Sequence, residues 1–188
     1  AKYMRKLERA FADRFKSDYS ISCVNGTATM HTALEAMGIG MGDEVIVPPL
    51  TMSSTSFAVL QANATPVFAD VNLNTFQICA NSIEERITKR TKAIITVALY
   101  GLSPDMDPIM DLAKKYGLKV IEDNAECFLG EYKGKLAGTL GDCASFSFQS
   151  SKHLTSGEGG MIITGDAELA DKIRKVQSLG YAGVGATN

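Results

Sequence analysis

Short apolar runs alternate with segments of helical period along the chain, and this alternation restricts the fold more than any other feature. Most of the runs are uninterrupted, as in strands that are covered on both faces. The predicted strands are Ser20–Val24, Glu44–Val47, Pro66–Ala69, Ala93–Val97, Lys119–Glu122, Ala144–Phe148 and Met161–Thr164. The predicted helices are the opening segment AKYMRKLERAFADRF, Thr27–Met37, Ser53–Ala62, Ser82–Thr88, Asp107–Tyr116 and Ala167–Leu179. This pattern predicts an α/β domain with a mostly parallel sheet of seven strands flanked by helices.

Composition excludes several classes of protein. A chain of 188 residues can hold one sizeable core. A net charge of −2 shows no bias toward nucleic acid or an anionic membrane. No apolar run approaches the length of a membrane span, and no signal peptide opens the chain. We therefore expect no nucleic-acid or membrane partner.

The cysteines and histidines give no metal or disulfide pattern. No C-x-x-C pair is present, and the cysteines lie far apart, which predicts reduced thiols in a cytoplasmic protein. Only two histidines are available, which argues against a structural zinc site. These residues are Cys23, Cys79, Cys127, Cys143, His31 and His153.

Both ends of the sequence are abrupt. The chain opens within a helical pattern, in which Met4, Leu7, Phe11 and Phe15 share one face, and it ends in the glycine-rich GYAGVGATN. We therefore expect a fragment of a longer protein.

Ligands of open α/β sheets bind at the carboxyl ends of the strands. After the first strand comes NGTATMHTALEAMG, in which Gly26 and Thr27 stand at the start of a helix. Backbone N–H groups at such a helix start, together with the helix dipole, favour a phosphate. An ordinary N-cap by Asn25 or Thr27 is the alternative explanation.

A second polar side chain follows the fifth strand. Asp123 stands at the end of this strand, where a carboxylate in a cleft can hold a cationic ring nitrogen. A capping or turn role is the alternative. Asp70 occupies a similar position, but no lysine or hydroxyl cluster lies near it in sequence, so we assign it a structural role.

The third feature is a lysine in FSFQSSKHLTSGEGG. Lys152 follows an apolar run and precedes a glycine-rich loop, with Ser147, Ser150 and Ser151 close by in sequence. A lysine inside a cleft can be neutral and nucleophilic, and its natural product with an aldehyde is a Schiff base. A phosphate site, a strand-end aspartate and such a lysine together meet the needs of pyridoxal 5′-phosphate.

These stretches resemble the DegT/DnrJ/EryC1/StrS family of fold-type I, pyridoxal-phosphate-dependent aminotransferases of sugar nucleotides and cyclitols. The similarity covers nearly all of the chain and is most specific in VIEDNAECFLGEYKGKLAGTLGDCASFSF and SSKHLTSGEGGMIIT. Family members are about twice as long. The resemblance therefore implies that residues 1–188 are the cofactor-binding large domain, without the small C-terminal domain and a short N-terminal piece.

The resemblance also implies roles for individual residues. Lys152 would form the internal aldimine and shuttle the proton, and Asp123 would pair with the pyridine nitrogen. The remaining implied cofactor-binding residues are Gly26, Thr27, Ala28 and Ser147 for the phosphate, and Met52 and Glu126 near the ring. The family resemblance further implies a homodimer in which each subunit contributes to the other's site.

Two positions depart from the family pattern. Met52, in VPPLTMSS, stands where family members usually carry an aromatic ring stacked on the cofactor. Glu126 stands where a glutamine is usual, and it brings a second acid close to Asp123. One relative of the family has histidine in place of the lysine and performs a dehydration, but here the spacing puts Lys152 at that position rather than His153.

The sequence therefore predicts an aminotransferase that moves an amino group from glutamate or glutamine to a keto group of a sugar nucleotide or cyclitol. A deoxysugar dehydratase and a cofactor-binding relative with impaired catalysis remain open as alternatives. A nucleotide-binding dehydrogenase fits poorly, because the glycine cluster GIGMG precedes a strand instead of following one. A zinc or cysteine enzyme lacks paired ligands.

Overall fold

The computed structural model describes residues 2–178 and 180. The helices are α1 (Lys2–Phe15), α2 (Gly26–Ala36), α3 (Ser54–Gln61), α4 (Ala80–Arg86), α5 (Met106–Tyr116) and α6 (Ala167–Gln177). The strands are β1 (Tyr19–Cys23), β2 (Glu44–Val47), β3 (Thr65–Phe68), β4 (Thr91–Val97), β5 (Lys119–Asp123), β6 (Glu131–Tyr132), β7 (Lys135–Leu136), β8 (Cys143–Ser147) and β9 (Gly160–Thr164). A single 3₁₀ turn covers Leu99–Gly101.

Seven strands form one sheet in the order β1-β9-β8-β5-β4-β2-β3. Strand β9 pairs antiparallel with both β1 and β8, and the other neighbouring pairs are parallel. All strands except β9 therefore point the same way, and the predicted mostly parallel seven-stranded sheet is confirmed. Strands β6 and β7 form a separate small hairpin.

Alternating residues of the central strands supply two cores, one on each face of the sheet. Val45 and Val47 of β2 pack with α2, α3 and α6, whereas Ile46 between them packs with α4 and α5. This period of two is the geometry of a strand covered on both sides. It explains why β2 appears in the sequence as an uninterrupted apolar run.

Helix α1 packs through aromatic rings rather than through a full apolar stripe. Phe11 and Phe15 are buried against Phe146 of β8, while Met4 and Leu7, predicted on the same face, remain 38% and 40% exposed. Glu8 instead faces inward, where its carboxylate accepts the N–H of Ser22 at 2.8 Å.

Most predicted boundaries lie within one or two residues of the observed ones. Strand β3 is the least buried strand of the sheet because it forms the edge, with Thr65 and Phe68 exposed. The predicted end of the last helix, Leu179, lies outside the described residues. The hairpin β6–β7 was not predicted, since strands of two residues leave no periodic pattern.

Candidate active site

One edge of the sheet collects the polar side chains that the sequence singled out. Strands β1, β5 and β8 end at this edge, and β9 begins there because it runs in the opposite direction. A cavity of about 490 Å³ opens at this place. Its lining includes every predicted site residue except Ala28, namely Gly26, Thr27, Met52, Asp123, Glu126, Ser147 and Lys152.

The first turn of α2 has both a cap and an open cradle. Asn25 is the N-cap, and its Oδ1 accepts the N–H of Ala28 at 2.8 Å. The backbone N–H of Ala28 is thus engaged within the protein, whereas Gly26 and Thr27 line the cavity. The capping role considered for Asn25 and the phosphate-binding role predicted for Gly26 and Thr27 are therefore compatible.

Gly26 makes this cradle possible by its lack of a side chain. A Cβ atom built on Gly26 would lie 2.9 Å from the Cβ of Ser147, which is closer than side chains tolerate. The end of β8 can therefore approach the start of α2 closely enough to place the Ser147 hydroxyl beside the helix N-terminus. Hydroxyl and N–H donors at a helix start are the donor set that a phosphate prefers.

Asp123 is the buried carboxylate of the site, with 4% of its surface exposed. Its Oδ1 accepts the N–H of Ala125 at 3.1 Å, and its Oδ2 accepts the hydroxyl of Thr55 at 3.3 Å. Burial raises the pKa of Asp123 to about 6, although these two hydrogen bonds and the charge of Lys152 oppose the change. A cationic partner in the cavity would stabilise the ionised form that burial disfavours.

Lys152 is held at the entrance of the loop that joins β8 to β9. Its backbone N–H donates to the carbonyl of Gln149 at 2.9 Å, and its Nζ lies 3.2 Å from Oε1 of Glu126. Only 17% of the Lys152 side chain and 28% of the Glu126 side chain are exposed. The predicted nucleophile is thus a shielded lysine with a carboxylate as its direct partner.

Glu126 connects this lysine to the turn after β4. Its second oxygen, Oε2, accepts the backbone N–H of Tyr100 at 3.3 Å. Tyr100 has φ 57° and ψ 24°, a left-handed conformation that is uncommon for a residue with a large side chain. Such strained residues cluster at functional sites.

Met52 lies in the loop between β2 and α3 and lines the same cavity. Its side chain is 62% exposed, so one of its faces is free to contact a bound ring. Asp70, which we assigned a structural role, fixes its own turn: its N–H donates to Ser82 and its Oδ1 accepts the N–H of Val71.

Sequence reasoning missed Thr55 and Tyr100, which donate hydrogen bonds to the carboxylates of Asp123 and Glu126. Thr55, which binds Asp123, belongs to α3 and lies 68 positions away in sequence. Tyr100 reaches the site only through its backbone N–H, which no side-chain pattern marks.

Among the described residues, no cluster of acidic, cysteine and histidine side chains could hold a metal ion. Within the same part of the chain, no helix has the length and apolarity to cross a membrane.

The donor set fits pyridoxal phosphate. Its phosphate would contact Gly26, Thr27 and Ser147, its ring nitrogen Asp123 and its aldehyde Lys152. A Cβ on Gly26 would close the cradle, and the buried carboxylate of Asp123 has no cation as a direct hydrogen-bond partner among the described residues. Each chemical demand of the cofactor thus meets a residue that lines the cavity.

Known proteins are similar to this chain in sequence. The chain is 49% identical to GDP-perosamine synthase of Caulobacter vibrioides over 179 residues. This match covers 95% of the chain and 48% of the synthase. It is 43% identical to L-glutamine:2-deoxy-scyllo-inosose aminotransferase of Streptomyces fradiae, over 94% of the chain and 42% of the relative. The chain thus spans about half the length of these relatives.

A solved structure agrees with these sequence comparisons. The X-ray structure of the aminotransferase from Psychrobacter cryohalolentis superposes on the whole chain with a TM-score of 0.95 and 41% identity, over 48% of that protein. The predicted fold class, an α/β aminotransferase fold with a mostly parallel seven-stranded sheet flanked by helices, is confirmed by this similarity. Residues 1–187 match the DegT/DnrJ/EryC1/StrS aminotransferase family, and the chain belongs to that family.

Proposed function

We propose that this chain is the cofactor-binding large domain of a pyridoxal-phosphate-dependent aminotransferase. The enzyme would move an amino group from glutamate or glutamine to a keto group of a sugar nucleotide or cyclitol. One observation carries the proposal: a shielded lysine, a buried aspartate and an open helix start line a single cavity. An electron-withdrawing aldehyde cofactor needs these three groups together.

The cofactor would supply an electron sink for the substrate carbon, and the residues of this chain do the rest. Gly26, Thr27 and Ser147 would hold the phosphate and fix the orientation of the ring. Asp123 would keep the ring nitrogen protonated, because a cation beside this buried carboxylate stabilises the ionised form that burial disfavours. Lys152 would bond covalently to the cofactor at rest and move a proton at the substrate carbon once released.

The names of the relatives support the substrate classes. One relative is named for a GDP-linked amino sugar, and another for L-glutamine and a cyclitol ketone. The same site chemistry serves either acceptor, because only the keto carbon reacts. The acceptor class of this protein is therefore proposed as a sugar nucleotide or a cyclitol.

We also propose that the enzyme is a homodimer and acts in the cytoplasm. Exposed apolar side chains adjoin the cavity on the outer side of α3 and β3: Met52, Phe57, Leu60 and Phe68. A contiguous apolar patch next to a site is a feature of subunit interfaces. Sedimentation of the full-length protein tests the proposed homodimer, and a stable monomer would contradict it.

The function is tested by absorbance of the full-length protein with added pyridoxal phosphate, before and after borohydride, beside Lys152→Ala. We expect a visible band in the wild type that borohydride abolishes while it fixes the cofactor covalently to the peptide containing Lys152, and no such band in the variant. Exchange of amino for keto groups between L-glutamine and a keto sugar nucleotide then separates an aminotransferase from a dehydratase. The absence of a band in both proteins would contradict the proposal.

A further inference from the structure

The direct partner of Lys152 is a carboxylate rather than a neutral group. Glu126 Oε1 lies 3.2 Å from Nζ, and both side chains are largely shielded from solvent. At this distance and with this shielding, the carboxylate and the ammonium attract each other more strongly than they would across bulk water.

Glu126 cannot easily swing away from the lysine. Its Oε2 accepts the N–H of Tyr100 at 3.3 Å, and Tyr100 belongs to the left-handed turn that follows β4. Cys127, the next residue, is buried and donates its thiol to the carbonyl of Gly101 in the same turn. Two adjacent contacts thus fix the segment that bears the carboxylate.

Other titratable groups face this ion pair from each neighbouring element. They are Asp123 from β5, the phenol of Tyr100 from the turn after β4, and Glu158 and His153 from the β8–β9 loop. Asp123 uses its oxygens for Thr55 and Ala125. Neither Asp123 nor Glu158 lies within ion-pair distance of Nζ, whereas Glu126 does.

We propose that Glu126 is a positioning residue for Lys152: its carboxylate holds the lysine nitrogen in an ion pair and thereby slows the combination of this nitrogen with an aldehyde. For that step the ammonium gives up one proton, and the nitrogen lone pair bonds to the aldehyde carbon. Water then leaves as the C=N bond forms. A carboxylate that stabilises the ammonium slows the first event. Once the lysine nitrogen is linked to the cofactor, the same carboxylate favours the protonated form of the linkage. This second part of the proposal rests on the proposed function.

Reductive methylation tests the first part without the cofactor. Full-length protein free of pyridoxal phosphate is treated with formaldehyde and cyanoborohydride at pH 6.5 to 9.5, and modification of Lys152 is measured by peptide mass spectrometry. Glu126→Gln keeps the shape and an oxygen for Tyr100 but removes the charge. We expect Lys152 to react about tenfold faster at neutral pH in this variant, the lower end of the effect of an opposite charge at this distance.

Three controls separate this role from a structural one. Glu158→Gln removes the same charge from the same cavity, and it is expected to leave the rate at Lys152 unchanged. Glu126→Asp retains the charge and is expected to retain the slow rate. The exposed Lys92 reports any change in reagent or global fold. Equal rates at Lys152 in the wild type and in Glu126→Gln would overturn the proposal.

The loaded enzyme gives the second readout. We expect the visible band of the protonated, linked nitrogen to disappear about one pH unit lower in Glu126→Gln than in the wild type. If a band forms but neither the labelling rate nor the band midpoint changes, the proposed function stands and the role of Glu126 is wrong. If labelling changes and no band forms in either protein, the role of Glu126 stands and the cofactor assignment is wrong.

Discussion

Gly26 faces Ser147 so closely that a Cβ atom on the glycine would lie 2.9 Å from the Cβ of the serine. This contact joins the start of α2 to the end of β8 at the proposed phosphate site. We therefore expect Gly26→Ala to displace one of the two elements and to weaken binding of pyridoxal phosphate by about tenfold or more, because a displacement of several tenths of an ångström misaligns the phosphate donors. Titration of the full-length protein by absorbance measures the effect.

Gly165→Ala is the matched control for this substitution. A Cβ on Gly165 would meet only Asp18, at an ordinary contact distance of 3.8 Å. This variant is expected to bind the cofactor like the wild type. Equal affinity of Gly26→Ala and Gly165→Ala would show that the Gly26–Ser147 contact does not shape the site.

Asp123→Asn is expected to stabilise the cofactor-free protein at neutral pH. Burial raises the pKa of Asp123 from 3.8 to about 6, so between these values the folded state binds more protons than the unfolded state. Stability therefore falls as pH rises through this window, by up to about 3 kcal/mol for a change of about two pKa units. The asparagine variant lacks this loss.

Urea unfolding of the full-length, cofactor-free protein at pH 4.5 and pH 7.5 checks this prediction. The difference in unfolding free energy between Asp123→Asn and the wild type is expected to be larger at pH 7.5 than at pH 4.5. A difference that does not depend on pH would mean that Asp123 is ionised at little cost. Since the same substitution removes the partner of the ring nitrogen, the variant is expected to gain stability and lose activity.

The sheet and the three polar positions at its edge were predictable because they leave local patterns. A strand covered on both faces, such as β4 or β5, must be a continuous apolar run; Asp123 directly follows such a run, and Lys152 comes four residues after Phe148, the end of another. The contacts that complete the site depend on distant residues. The hydroxyl of Thr55 is one of several in its segment, and only the folded chain brings it to Asp123.

The contact between Glu126 and Lys152 is a second feature of the site that the sequence could not predict. The family resemblance implied that both residues lie near the cofactor, but it could not show that their side chains meet at 3.2 Å. The left-handed conformation of Tyr100 was equally inaccessible, because tertiary contacts impose it on a residue type that does not favour it.

Glu122 lies one position before Asp123 and is expected to act on stability alone. Its carboxylate is buried and accepts the N–H groups of Gly138, Leu140 and Gly141 at 2.7–2.8 Å. Glu122→Ala leaves three backbone donors without this acceptor, which we expect to cost about 3 kcal/mol of unfolding free energy. Urea unfolding measures this cost, with the exposed Glu131→Ala as a control that changes stability little. Similar losses in both variants would contradict the role assigned to Glu122.

Phe11 is expected to carry much of the attachment of α1 to the sheet. Its ring centroid lies 4.6 Å from that of Phe15 and 5.0 Å from that of Phe146, and the side chain is buried. Phe11→Ala leaves a cavity among these rings, with an expected loss of about 3–5 kcal/mol in unfolding free energy. Tyr3→Ala, on the same helix but 81% exposed, is expected to change it by less than about 0.5 kcal/mol. Because Phe146 immediately precedes Ser147, we also expect Phe11→Ala to weaken cofactor binding. An equal loss in the two variants would show that the aromatic cluster does not hold α1.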